Sequence, residues 1–371
     1  TTTAPVVAAP RNWQEERLAA AWKRFFGLQQ IGIHDNFFEL GGSSFTAGQL
    51  VVELSQIFQT ELSLQEFLKA PTIAELAERI TVTAPPEPAT TPTPSVEPAH
   101  ALIKLKPGND AVRPLFLVHP IEGHVFFYQD LAQALNADRP VYAFQSTGLA
   151  DAAEPVNRIE TMAQHYLEGL RAVQPEGPYL LGGASFGGLV AFEMARQLRA
   201  LNQPVDRLFL IDTPAVGQPL LDLEDDAAIL AFVGSRLLRL NGTGVSAQEL
   251  RTIPSEEQIT YLLQRVENGH TRGFTLPQLE QLLRVIKANR EALLNYTPQP
   301  YPGRIIFFRA QETGSNALPV RPEHFWLDLA AAGIEINPVP GNHFTMNQPP
   351  HVQMIAERVE QSLKQLEVVV R

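Results

Sequence analysis

Residues 83–99 read TAPPEPATTPTPSVEPA, a run of Pro, Thr, Ala and Glu that leaves almost nothing to bury. Each proline fixes its own φ and removes a backbone donor, so such a stretch is a semi-extended tether and not part of a core. It splits the 371 residues into a small unit and a large one, each obliged to bury a core of its own. Hydrophobic residues make up 44% of the chain and charged ones 19%, enough apolar material for both cores. The boundaries that follow are 1–10 as an upstream linker, 11–81 as the small unit, 82–102 as the Pro-rich linker and 103–371 as the large unit.

The small unit carries helix signals. Asn12 and Glu15, Ser63 and Glu66, and Thr72 and Glu75 each stand three apart in the capping-box pattern. After Gly41-Gly42, the residues Ala47, Leu50, Val51, Leu54, Ile57 and Phe58 fall on one face of a helix. The expected fold is an all-α bundle of four helices, one of them short.

The large unit alternates differently. Apolar runs suited to buried parallel strands occur at Leu115–Val118, Val141–Phe144, Tyr179–Leu181, Leu208–Ile211 and Ile305–Phe308, with helical stretches between most of them. This predicts a mostly parallel sheet covered by helices. From about 218 to 297 no strand signal occurs, but helices do, with capping boxes at Ser246/Glu249 and Ser255/Gln258. A helical insertion late in an α/β unit reads as a lid.

Gly183-Ala184-Ser185-Phe186-Gly187, between a strand and a helix, fits the G-x-S-x-G elbow in which a sharp turn lifts a serine hydroxyl above the sheet. A serine nucleophile needs a base, and the base an orienting acid. Of nine histidines, His343 follows the strand-like IEINPV and a Pro-Gly-Asn turn, a loop that can reach the elbow. Asp212 ends the strand RLFLI at the same sheet edge; Glu312, after RIIFF, is the competing acid. The oxyanion needs two amides: that of Phe186, and that of Ile121 in the loop His119-Pro120-Ile121-Glu122-Gly123. His119 itself reads as a structurally satisfied strand-end histidine.

The formal net charge of −11 argues against nucleic acid or an anionic membrane as partner. With no cysteine there is no disulfide, thiolate metal site or cysteine nucleophile, and no metal is expected; the composition fits the reducing cytoplasm. The start, TTTAPVVAAP, has neither the basic nor the apolar region of a signal peptide and does not begin with Met, so the chain reads as a piece of something longer.

HPIEG, QPEGPYLLGGASFGG, LFLIDT and GNHFTM make residues 103–370 resemble the type I thioesterases, α/β-hydrolases that end polyketide, nonribosomal peptide and fatty acid synthases. The resemblance implies Ser185, Asp212 and His343 as the triad, Ile121 and Phe186 as the oxyanion amides, and 218–297 as a lid over the acyl channel. Ala184 departs from the bulkier residue common before the nucleophile. HDNFFELGGSSF makes residues 11–81 resemble an acyl or peptidyl carrier domain, whose serine bears 4'-phosphopantetheine. The residue before that serine is usually His, Asp or Asn; here it is Ser43. The implied partners are upstream synthase modules, a phosphopantetheinyl transferase and an acyl or peptidyl thioester. The implied function is transfer of the chain from Ser44 to Ser185 and release by hydrolysis, with macrocyclisation as the alternative. A free-standing lipase or esterase with a helical partner-binding module is the rival of another class.

Which serine is modified also has a geometric answer. At about 100° per residue, Ser43 projects roughly 20° from the centre of the apolar stripe and Ser44 roughly 80° from it. Ser43 leans toward the bundle or caps the helix, while Ser44 lies where a long arm can be attached.

Overall fold

The computed structural model describes residues 8–26, 30–40, 64–80, 102–109, 111–149, 153–217, 223–236, 245–268, 276–312 and 322–369, with the single positions 28, 42, 47, 50, 51, 54, 57, 58, 60 and 62. The chain divides into two compact units, Thr1–Pro98 with Asp225–Glu280, and Ala99–Glu224 with Gln281–Arg371. The division falls within the helix Leu276–Asn295, whose residues 281–295 belong with the sheet.

In the first unit, helices among the described residues span Trp13–Phe26, Leu64–Lys69 and Ile73–Arg79 of its N-terminal part, and Asp226–Arg236, Ala247–Leu250 and Ser255–Asn268 of its second segment. Positions 47, 50, 51, 54, 57 and 58 also have helical backbone, and all but Ile57 are buried, so the expected stripe is the buried one. These residues join Leu18, Trp22, Ile33, Phe37, Phe67 and Leu76 in one core. Phe37 is its aromatic hub, with ring centroids 5.3 Å from Trp22 and 4.9 Å from Phe67, both edge-on as ring quadrupoles prefer.

Four of the five capping signals lie among the described residues, and three of them form. The Glu15 amide donates to Asn12 Oδ1 at 2.9 Å, and the Glu15 carboxylate turns back onto the Arg11 amide at 2.6 Å. The Glu75 amide donates to Thr72 Oγ1 at 3.2 Å, and the Glu249 amide to Ser246 Oγ at 3.1 Å. Ser63 lies outside the described residues. The box at Ser255/Gln258 does not form: Ser255 is already inside its helix, Ser255–Asn268, and buried Gln258 donates instead to the carbonyls of Leu250 at 3.0 Å and Ile253 at 3.1 Å. Satisfying two buried carbonyls outweighs one cap bond.

The second unit is a seven-stranded sheet in the order β1-β3-β2-β4-β5-β6-β7, with strands Leu102–Lys106, Leu115–Val118, Val141–Phe144, Tyr179–Ala184, Val205–Ile211, Ile305–Ala310 and Ile334–Val339. All five expected runs are strands, and IEINPV is β7. The addition is β1, LIKLK, which pairs antiparallel to β3 while every other pair is parallel. Its two lysines make it a half-buried edge strand, unlike the buried apolar runs that betray the others.

Successive residues of a strand face opposite sides of the sheet. Leu115, Leu117, Leu180, Phe209, Ile211, Ile306 and Phe308 pack with Leu131 of the helix Gln129–Ala134 and with Val352, Ile355, Val359 and Leu363 of the helix Val352–Val369. On the other side, Phe144 stacks on Tyr166 of the helix Ile159–Val173 at 4.8 Å. There Phe192 of the helix Phe186–Ala200 meets Trp326 at 4.9 Å. Burying each such side chain is worth about 1.5–3 kcal/mol. The parallel register, Val118 with Gly183, Ala184 with Ile211 and Ala310 with Val339, brings the carboxyl ends of β2, β4, β5, β6 and β7 to one edge. No helix among the described residues is long and apolar enough to cross a membrane.

Candidate active site

Ser185 sits in the single step between β4 and the following helix, with φ 55° and ψ −125°. A non-glycine residue there costs roughly 1–3 kcal/mol, which the surroundings must over-determine. They do. The Ser185 amide donates to the Ile211 carbonyl at 2.9 Å, and its carbonyl accepts from Gly188 at 3.1 Å. A Cβ on Gly183 would stand 2.2 Å from the Gly187 carbonyl oxygen, and one on Gly187 would stand 2.1 Å from that of Val118. Only glycine lets the helix start this close to β2 and β4.

Asp212 follows β5, also at positive φ, 44°, with its amide donating to Phe308 at 2.7 Å. The Ala310 amide donates to Asp212 Oδ1 at 3.0 Å, and His343 Nδ1 lies 2.7 Å from Oδ2. A carboxylate only accepts, so Nδ1 carries the proton and the lone pair of Nε2 faces Ser185 Oγ at 3.1 Å. His343 is held in its loop by Asn342, whose Oδ1 accepts from the amides of Phe344 at 3.0 Å and Thr345 at 3.1 Å. Ser185, Asp212 and His343 are 5%, 5% and 9% exposed, so this proton path is shielded from bulk water. Glu312 is exposed, and it is its main-chain N–H that touches the histidine loop, donating to Gly341 at 3.0 Å. The structure therefore pairs His343 with Asp212 and not with Glu312.

The amides of Ile121 and Phe186 have no acceptor among the described residues. The Ile121 carbonyl accepts from Asn289 Nδ2 at 2.9 Å, and a Cβ on Gly123 (φ 83°) would meet Val285 Cγ1 at 2.5 Å. Residues of the helix Leu276–Asn295 thus press directly on this loop. Tyr128, which sequence reasoning passed over, donates its hydroxyl to the Val118 carbonyl at 2.5 Å and accepts from the Ala184 amide at 2.7 Å. It clamps the ends of β2 and β4 one residue before Ser185. Burial raises its phenol pKa, so it stays a neutral clamp.

His119 is fully buried, with Nδ1 2.8 Å from the Pro120 carbonyl oxygen and Nε2 2.8 Å from Tyr166 Oη. Desolvation lowers its pKa to about 4, so it is neutral. Among the described residues no cluster of three or more His, Asp or Glu could hold a metal ion.

Ser43 and Ser44 lie outside the described residues. The chain leading to them is tightly held: the Gly42 amide donates to Phe37 at 2.8 Å, and a Cβ on Gly42 would meet the Phe37 ring at 2.1 Å. The Phe37 amide donates to Pro71 at 2.8 Å. The backbone is thus pinned at Gly42, where a core ring demands glycine.

Comparison with known proteins agrees in outline. The family described as Thioesterase domain matches residues 113–363, and the Phosphopantetheine attachment site matches 16–80. The chain is 30% identical over 369 residues to CymA, a probable non-canonical nonribosomal peptide synthetase of Salinispora arenicola, covering 98% of this chain and 4% of that one. It is 30% identical over 363 residues to a dimodular nonribosomal peptide synthase of Bacillus subtilis, covering 96% and 14%. The chain thus spans a small fraction of these curated relatives. Among solved structures, the four-domain nonribosomal peptide synthetase holo-AB3403 superposes with TM-score 0.65 at 30% identity, covering 96% of this chain and 26% of that one. The Vlm2 thioesterase domain matches at 23% identity with TM-score 0.52, covering 70% and 96%, a likeness of fold.

Proposed function

We propose, because the chain belongs to the thioesterase domain family and carries a phosphopantetheine attachment domain ahead of it, that it is the terminal carrier–thioesterase didomain of a modular nonribosomal peptide or polyketide synthase. The hydrogen-bond chain Ser185–His343–Asp212 carries this reading. As Ser185 Oγ attacks a thioester carbonyl, His343 Nε2 takes its proton, and Asp212 holds the tautomer and stabilises the imidazolium. The amides of Ile121 and Phe186 receive the negative charge that develops on the carbonyl oxygen. His343 then returns the proton to the departing thiolate, leaving the acyl group as an ester on Ser185. In the second half His343 activates a water, which attacks the ester and releases the chain as a free acid.

Ser44 is the residue assigned to hold 4'-phosphopantetheine, which supplies a thiol on a long arm. Residues 82–102 tether the two domains, so the effective concentration of one at the other is high and even weak docking suffices. Residues 218–297 are assigned as the lid over the acyl channel. Upstream modules would deliver the chain and a phosphopantetheinyl transferase would install the arm from coenzyme A, which makes the cytoplasm the compartment.

Turnover of an acyl thioester of N-acetylcysteamine tests the enzyme half, with products identified by mass spectrometry. Free acid is expected from wild type and almost none from Ser185→Ala. Equal rates would remove Ser185 from its role, and a cyclic product from a linear peptidyl thioester would replace hydrolysis by macrocyclisation.

A further inference from the structure

His119 takes no part in the proton path, yet it is buried at the junction of the elbow and the oxyanion loop. Its ring stacks on that of Phe186, with centroids 5.9 Å apart. The Pro120 carbonyl oxygen can only accept, so the imidazole nitrogen 2.8 Å from it, Nδ1, must carry the proton. Nε2 is then an acceptor, and Tyr166 Oη at 2.8 Å is its donor, the Gln145 carbonyl at 3.2 Å being the more distant competitor for that hydroxyl proton. Tyr166 therefore selects the tautomer in which His119 can hold Pro120.

The consequence lies in the geometry of one peptide. The bond between Pro120 and Ile121 is planar, and in its trans form the Pro120 carbonyl and the Ile121 N–H point in opposite directions. Whatever fixes the first aims the second. The Pro120 oxygen accepts from His119 Nδ1 and from the Gly123 amide at 2.9 Å, which fills both its lone pairs. Hydrogen bonds to a peptide carbonyl also polarise the group and strengthen the N–H on its far side as a donor.

We infer that His119, set by Tyr166, is a positioning residue that aims the Ile121 amide at the developing oxyanion. The inference rests on the triad and oxyanion assignment above and adds two residues to it. An interaction that improves only the transition state lowers kcat when it is lost and leaves KM unchanged.

The test compares His119→Gln with His119→Asn in the full chain, using an acyl thioester of N-acetylcysteamine. The Asn amide nitrogen takes the place of Nδ1 and keeps the bond to Pro120, whereas the Gln amide nitrogen reaches toward the place of Nε2 and abandons it. Losing an oxyanion donor outright costs about 10²–10³ in kcat, so a misaimed one in His119→Gln should cost about tenfold or more, at unchanged KM. His119→Asn should stay within about threefold of wild type. Wild-type kcat in a folded His119→Gln overturns the proposal, and so does an equal loss in both variants. Should His119→Gln not fold, Tyr166→Phe decides: a lower kcat at unchanged KM supports the proposal and a wild-type kcat overturns it. Ser185→Ala run beside them separates the two levels. If it remains active the triad reading fails, and if it is inactive while the His119 variants are indistinguishable only the positioning role fails.

Discussion

Leu40-Gly41-Gly42-Ser43-Ser44 and Leu181-Gly182-Gly183-Ala184-Ser185 follow one pattern, Leu-Gly-Gly-x-Ser, and are assigned opposite tasks. The glycines explain the difference. Gly183 and Gly187 are demanded by backbone oxygens that an added Cβ would meet at 2.2 and 2.1 Å, so main chain passes main chain and Ser185 sits at φ 55° at the sheet edge. Gly42 is demanded by the ring of Phe37, a core side chain. Around Ser185 the fold gathers a base and an acid from strands far apart in sequence, whereas residues 11–81 hold one histidine, His34, which is exposed. On this assignment the same five-residue pattern serves as a nucleophile where tertiary structure brings it a base, and as an attachment point in a region whose one histidine is exposed. An alcohol without a base remains a weak nucleophile that another enzyme must modify.

The largest effects should separate the two serines. Ser185→Ala should lower turnover of a soluble acyl thioester by on the order of 10⁴-fold or more while leaving the pantetheine mass gain intact, and Ser44→Ala should do the reverse. Cross-effects in either variant would break the comparison. Next, Asp212→Asn should cost on the order of 10³–10⁴-fold in kcat by allowing the wrong histidine tautomer, while Glu312→Gln stays near wild type.

Acid should also distinguish the two regions. Burial lowers the pKa of His119 to about 4 and that of His124 to about 3, so the unfolded chain binds protons that the folded sheet unit does not. Stability from these groups is complete above the ordinary histidine value and is lost as pH falls from about 6.5 toward 4, on the order of 3 kcal/mol for His119 alone. Among the described residues of the small unit the acid-sensitive group is Glu15, held below the carboxylate range by its hydrogen bond to Arg11; its contribution is lost only at lower pH, through and below the ordinary glutamate value. Thermal melts between pH 7 and 4 should therefore show the thioesterase transition falling before the carrier transition, and His119→Asn should flatten the first. The smallest effects come from packing. Gly187→Ala and Gly42→Ala should each destabilise their own region by about 1–3 kcal/mol, the first impairing thioester turnover and the second pantetheine loading, as read by melting and mass gain.

Much of this contrast could be read before the fold was seen, because the elbow and the carrier signature are local and their neighbours in sequence are their neighbours in space. The expected apolar stripe at 47–58 is the buried one, and the five apolar runs are strands, since periodicity reports burial directly. β1 escaped because a half-buried edge strand with two lysines has no apolar run. Asp212 could not be separated from Glu312 by topology alone, since both follow neighbouring strands; a 2.7 Å bond to His343 separates them. Contacts that join distant segments left no trace. Tyr166 reaches His119 across 47 positions, and Asn289 reaches Ile121 across 168 from a helix read only as part of the lid. Ser255 looked like a cap because the pattern of letters cannot tell that Gln258 is buried beside two carbonyls.

On the proposed function, a chain passes from Ser44 to Ser185 within this one polypeptide. The direct measurement loads the didomain with an acyl-pantetheine, using a phosphopantetheinyl transferase and acyl-coenzyme A, and follows the peptides containing Ser44 and Ser185 by mass spectrometry over time. The acyl mass on the Ser44 peptide should decay in wild type as free acid accumulates, and persist in Ser185→Ala. Decay at the same rate in both, or loading that survives Ser44→Ala, would contradict this transfer.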